Sequence, residues 1–140
     1  MKLNTVYFSK SINVLEHALK LISETDTKDI TYVIYRSACI KEYEIILEQS
    51  VKLLRKALKP YFSLASAVDK LTFKDVLRHA VLRGIITVEE SEQWMQYRDS
   101  RNTTVHDYGD EFAETTLSFF PQFIKDAKRL CDAISALENL

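Results

Sequence analysis

The chain has 140 residues, 19 basic and 20 acidic, with a formal net charge of −1. That length suits one domain with a substantial core, and the balanced charge excludes a globally basic surface, so any polyanion must meet a local patch. Two Gly and two Pro exclude a turn-rich β protein and favour long helices with short connections.

The first helix is expected from about Asn4 to Ser23, because Phe8, Ile12, Leu15, Leu19 and Ile22 repeat at spacings of four and three. His17 falls off that stripe and reads as a surface residue. Glu24–Thr27 supplies a polar break with N-cap candidates. A long second helix is expected from Lys28 to Lys59, ended by Pro60. Its main stripe is Ile30, Ile34, Ile40, Tyr43, Leu47, Leu54 and Leu58, widened by Val33, Ile45, Ile46 and Leu53. A helix apolar on more than one side needs more than one neighbour. Glu44 and Glu48 lie one turn apart on this helix, able either to reach a site or to pair with Lys41, Lys52 or Arg55.

Residues 61–70 read as a short helical link. Thr72-Phe73-Lys74-Asp75 opens a third helix with a capping-box pattern, closed by Gly84 at C′. Lys74, Arg78, His79 and Arg83 make it the most basic element, suited to phosphate or simply to solvent. Thr87-Val88-Glu89-Glu90 is a second capping box and opens a fourth helix, which carries Trp94 and Tyr97 and delivers Arg98 and Arg101. After Gly109, acidic residues begin a last helix with a core face from Phe120 to Leu137, and Pro121 must kink or restart it. No apolar run approaches membrane-spanning length. The scattered His and Cys show no ligand spacing, so neither metal nor cofactor is expected. Cys39 and Cys131 sit in apolar helical patterns without a secretory signal ahead of them, which suggests reduced core thiols in a cytoplasmic protein.

The densest chemistry lies in residues 98–109, RDSRNTTVHDYG. Arg101 offers a planar fork suited to phosphate, and His106 can take and give a proton near neutral pH. Five helical residues turn about 500°, leaving the two roughly 140° apart. They converge only if the helix ends between them, and Asn102–Val105 are weak helix formers. An Arg and a His at a helix end also serve simply as caps or as partners of Asp99 or Asp107.

Arg101-x-x-x-x-His106-x-Tyr108, with Asn102 after the Arg and Tyr43-Glu44-x-x-x-Glu48 upstream, resembles the signature of HEPN-domain toxins paired with minimal nucleotidyltransferase antitoxins. This group is also known as the nucleotidyltransferase substrate-binding subunit family. Gly84-Ile85-Ile86 with Glu90 and Trp94 adds to the likeness, which extends over roughly residues 8–137; Glu42 departs from it, standing where many relatives carry Arg. The resemblance implies an all-α antiparallel bundle of four to five helices, one HEPN domain over residues 1–140. It further implies a homodimer acting as a metal-independent endoribonuclease toxin. Arg101 and His106 would be catalytic, with Arg98, Asn102, Glu44 and Glu48 in support. Tyr108 would accept AMP from the partner nucleotidyltransferase. The implied partners are that antitoxin, RNA and a second copy, with neither DNA nor membrane expected. The same resemblance also admits a non-catalytic substrate-binding subunit of a two-component nucleotidyltransferase. A plain helical interaction module is a third reading of the residues.

Overall fold

A computed structural model describes residues 3–106 and 109–137, with side chains at 3–102 and 109–137. The described residues form helices joined by short turns, with no strand among them: α1 (Val6–Ser23), α2 (Ile30–Leu58), α3 (Ala65–Asp69), α4 (Phe73–Leu82), α5 (Val88–His106), α6 (Asp110–Ser118) and α7 (Phe120–Leu137), with a 3₁₀ turn at Lys59–Tyr61. The expected all-α class holds. The short helical link after Pro60 contains α3, and the last predicted helix restarts at Pro121, giving α6 and α7. Proline has no N–H to give, so it fits the first turn of a restarted helix, and Pro121 occupies that place in α7.

Local signals fix the ends. Asp29 caps α2 by accepting from the Thr31 N–H at 2.9 Å, so this helix starts two residues later than expected. Thr72 accepts from the Asp75 N–H at 3.1 Å. The Thr87–Glu90 box is complete, each side chain accepting from the other's N–H at 3.0 Å. Gly84, at φ +73°, ends α4 in a Schellman turn, with Ile85 N–H on the Ala80 carbonyl and Gly84 N–H on that of Val81. Only a residue without Cβ takes that φ at little cost.

The core gathers around α2, against which α1, α4 and α7 pack. Phe8, Ile12, Leu15 and Ile22 are buried as the α1 stripe predicts, and His17 is exposed. Tyr43, Trp94, Tyr97, Phe119, Phe120 and Phe123 form an aromatic cluster with mostly edge-on contacts, the arrangement their quadrupoles favour. Trp94, at 2% exposure, is core and no platform for a base. Cys39 is buried and Cys131 half-buried, both free thiols, and burial pushes the Cys39 thiol up to about 11. The predicted α2 stripe needs correction at its start. Ile30, Val33 and Ile34 are 71%, 39% and 59% exposed, and the buried face runs instead through Cys39, Tyr43, Ile46, Leu47, Ser50, Leu53 and Leu54.

Candidate functional site

Glu44 and Glu48 are one turn apart on α2, and Arg98 and Arg101 one turn apart on α5, so each pair shares a helix face. The fold turns the two faces toward each other, and all four side chains line one cleft of about 250 Å³. Leu47, Val51 and Arg55 of α2 and Phe73 of α4 complete it. The three arginines exceed the two glutamates by one charge, which suits a single phosphodiester.

Tyr43 sets the register of the arginines. It is fully buried, and its hydroxyl donates to the Tyr97 carbonyl while the Arg101 backbone hydrogen-bonds to it in turn. Residues 97 and 101 are a hydrogen-bonding pair of one α-helical turn, so Tyr43 grips the turn that carries Arg98 and Arg101. Burial first, and then the neighbouring Tyr97, keep its phenol well above the usual range. On the far side of that turn, the Tyr97 hydroxyl donates to Asp126 of α7. The other Asp126 oxygen accepts from the Gln122 amide at 3.0 Å.

The guanidinium of Arg98 lies 5.0 Å from the centre of the Phe73 ring, a cation–π distance. Arg55 braces that ring's backbone, its Nη2 donating to the Leu71 carbonyl at 2.6 Å just before the α4 cap. Its Nε is buried with no acceptor among the described residues. Glu48 makes the surface pair with Lys52, at 3.3 Å; Glu44 makes no ion pair among the described residues. Sequence reasoning passed over Arg55 and Phe73 as site residues.

The other expected site residues lie elsewhere. Asn102 is exposed and not among the cleft's lining residues. Helix α5 continues through His106, so the condition for Arg101 and His106 to converge is not met and their positions stay roughly 140° apart around the axis. The His106 side chain and all of Tyr108 lie outside the described residues. Just beyond them α6 is tied to α2, where Arg36 meets Asp110 at 2.7 Å and the Tyr32 hydroxyl donates to Glu114. Glu42 stands apart from the cleft; burial raises its carboxyl pKa, and Oε2 has no donor among the described residues. Of the basic residues on and just after α4, Arg83 lies over Tyr61 at 4.4 Å and Arg78 faces Asp75 at 3.8 Å. A shallower hollow of about 780 Å³ between the ends of α1 and α2 and α6–α7 holds none of the expected site residues. Among the described residues no three His, Cys, Asp or Glu side chains gather as a metal site, and no helix is long and apolar enough to cross a membrane.

Residues 3–136 match the family described as nucleotidyltransferase substrate binding protein like. A Haemophilus influenzae protein named "Probable ribonuclease HepT" is 26% identical over 137 residues, covering 95% of this chain and 92% of that protein. Two solved structures share the fold. One is a Haemophilus influenzae protein described as the fold of a substrate binding domain of a nucleotidyltransferase (23% identity, TM-score 0.80, 94% of this chain and 98% of that one). The other is from Thermus thermophilus (22% identity, TM-score 0.72, 91% and 98%).

Proposed function

The chain belongs to the nucleotidyltransferase substrate binding protein-like family, and from that membership we propose that it is a HEPN-type toxin, a metal-independent endoribonuclease held in check by a minimal nucleotidyltransferase. The observation that carries this reading is the cleft, which collects Arg101, Arg98, Glu44 and Glu48 from two helices. The relative named as a ribonuclease supports the same class of chemistry.

In this reading a ribose 2′-oxygen attacks the adjacent phosphorus while one His106 imidazole takes its proton. Arg101 holds the non-bridging oxygens as the phosphorane forms, and a second imidazole protonates the departing 5′-oxygen. The products are a 2′,3′-cyclic phosphate and a 5′-hydroxyl. One chain has a single His106, on a helix position turned away from Arg101, so the acid and the base come from two copies across a two-fold axis. The exposed apolar start of α2 supports such a pairing. Ile30, Val33 and Ile34 fall on the helix face that continues, turn by turn, to Glu44 and Glu48. Neutralisation follows when the Tyr108 phenol attacks the α-phosphorus of ATP on the partner enzyme and pyrophosphate leaves. The attached AMP then brings negative charge and bulk to the guanidinium that RNA needs.

Cleavage of RNA by the purified protein in EDTA tests the reading, with cyclic phosphate ends expected and activity absent from Arg101→Ala and His106→Ala. A requirement for divalent metal, or full activity in His106→Ala, overturns it. The family description favours one alternative, a non-catalytic subunit that presents substrate to a nucleotidyltransferase; such a protein binds the partner yet leaves RNA intact. Intact-mass spectra after co-expression with the partner test the last step. AMP mass on the peptide containing Tyr108 is expected in wild type and absent in Tyr108→Phe.

A further inference from the structure

Phosphate chemistry accounts for Arg101 but leaves part of the cleft without a task. The Arg98 guanidinium carbon lies over the Phe73 ring, 5.0 Å from its centre, and Arg55 donates to the Leu71 carbonyl two residues before Phe73. Glu44 lines the same cleft and makes no ion pair among the described residues. A carboxylate repels a phosphodiester, so Glu44 needs a different reason to stand beside two arginines.

Unpaired RNA bases stack on aromatic rings and on guanidinium planes, and a planar guanidinium backed by a ring is a pre-formed stacking surface. The carboxylate then decides which base. Guanine alone presents two adjacent donors, N1–H and the N2 amino group, which match the two oxygens of a carboxylate. Adenine and cytosine set one amino donor beside an acceptor ring nitrogen, which repels the second oxygen. Uracil sets one imino donor between two carbonyls.

Resting on the ribonuclease reading, we propose that this cleft is a base-recognition subsite beside the scissile phosphate. Arg98, backed by Phe73, stacks on an unpaired guanine whose donor edge is read by Glu44, and Arg101 holds the neighbouring phosphate.

The test uses the full-length protein and short 2′-O-methyl oligouridylates carrying one central guanosine, adenosine or cytidine, with all-uridine as reference. Methylation removes the attacking hydroxyl, so fluorescence anisotropy reads binding without cleavage. The guanosine probe is expected to bind about tenfold or more tighter than the others, the range of one good bidentate base contact. Glu44→Gln, which turns two acceptors into one acceptor and one donor, is expected to lose that advantage and move the preference toward adenosine and cytidine. Arg98→Lys keeps the charge but loses the plane, and is expected to weaken all four probes by a similar factor without changing their order. If Arg98→Lys fails to fold by circular dichroism, Phe73→Leu tests the same stack.

Equal binding of the four probes, no binding, or an unchanged guanosine preference in Glu44→Gln overturns the subsite. Unmodified RNA given to the same preparation separates the two readings. Cleavage without base preference leaves the ribonuclease standing and removes the subsite. Guanosine-selective binding that Glu44→Gln abolishes supports the subsite even when no RNA is cut, and in that case the cleavage reading is what fails.

Discussion

Tyr43 joins packing to chemistry in one side chain: its ring fills the aromatic core and its hydroxyl grips the α5 turn that carries two arginines of the cleft. Tyr43→Phe keeps the ring and removes the grip. The buried Tyr97 carbonyl still has its helical partner, so the expected loss is about 1 kcal/mol, read as a few degrees in thermal melting. Cleavage of RNA is expected to fall further, by about tenfold, because small displacements of a positioned group cost much rate. Equal activity in parent and variant would show that the turn holds itself. Glu42 gives a pH prediction. Burial raises its carboxyl pKa, so the folded state holds this proton more tightly than the unfolded chain does. Stability therefore falls as pH rises from the unfolded value of about 4.3 through the raised folded one. Glu42→Gln is expected to melt above the parent at pH 7, with the difference closing near pH 4. A variant that melts lower at pH 7 would mean that the carboxylate is stabilised there.

At the scale of elements, the sequence was most readable where a terminus is made by one side chain or one backbone angle. Gly84 and the Thr87–Glu90 box are of this kind, and Thr87→Ala is expected to cost about 1 kcal/mol. Gly84→Ala is expected to cost about 1–2 kcal/mol from backbone strain alone, since an added Cβ meets nothing within 4 Å; chemical denaturation measures both. Sequence signals left matters open where they were diffuse. Asn102–Val105 are weak helix formers, yet each costs only tenths of a kcal/mol against Ala, and neither Gly nor Pro interrupts α5. The helix therefore runs on through His106. Ile30 and Ile34 carry the period of a core stripe, and periodicity alone does not say whether the neighbour belongs to the same chain. The cleft was legible in the same proportion. Three- and four-residue spacing put Glu44 with Glu48 and Arg98 with Arg101. The same stripe extends by three to Val51 and by a further four to Arg55, a spacing that also marks them as cleft residues. Phe73 comes from another helix, and no spacing in the sequence links it to α5.

For the whole molecule, the uninterrupted α5 and the exposed start of α2 both bear on the proposed dimer. One chain carries positions 101 and 106 on different sides of a helix, so in the proposed reading the acid and the base come from two copies. Covering Ile30 and Ile34 in that contact contributes about 1.5–3 kcal/mol for each side chain fully buried. Ile34→Glu places a charge on a residue already 59% exposed. It is expected to leave the melting temperature of the fold nearly unchanged, shift sedimentation from dimer to monomer, and abolish RNA cleavage. A monomeric variant with full activity would show that one chain suffices. Subunit mixing then asks whether the two copies share one site. Two independent sites would leave activity proportional to the parental protein present when inactive His106→Ala is added. One shared site behaves differently, because each parental chain that meets a variant partner loses either its acid or its base. With a ninefold excess of His106→Ala and full exchange, activity per parental chain is expected to fall to about one tenth, the share of parental chains still paired with their own kind across the two-fold axis. Activity that merely tracks dilution would place the acid and the base within a single protomer and remove the reason for a shared cleft.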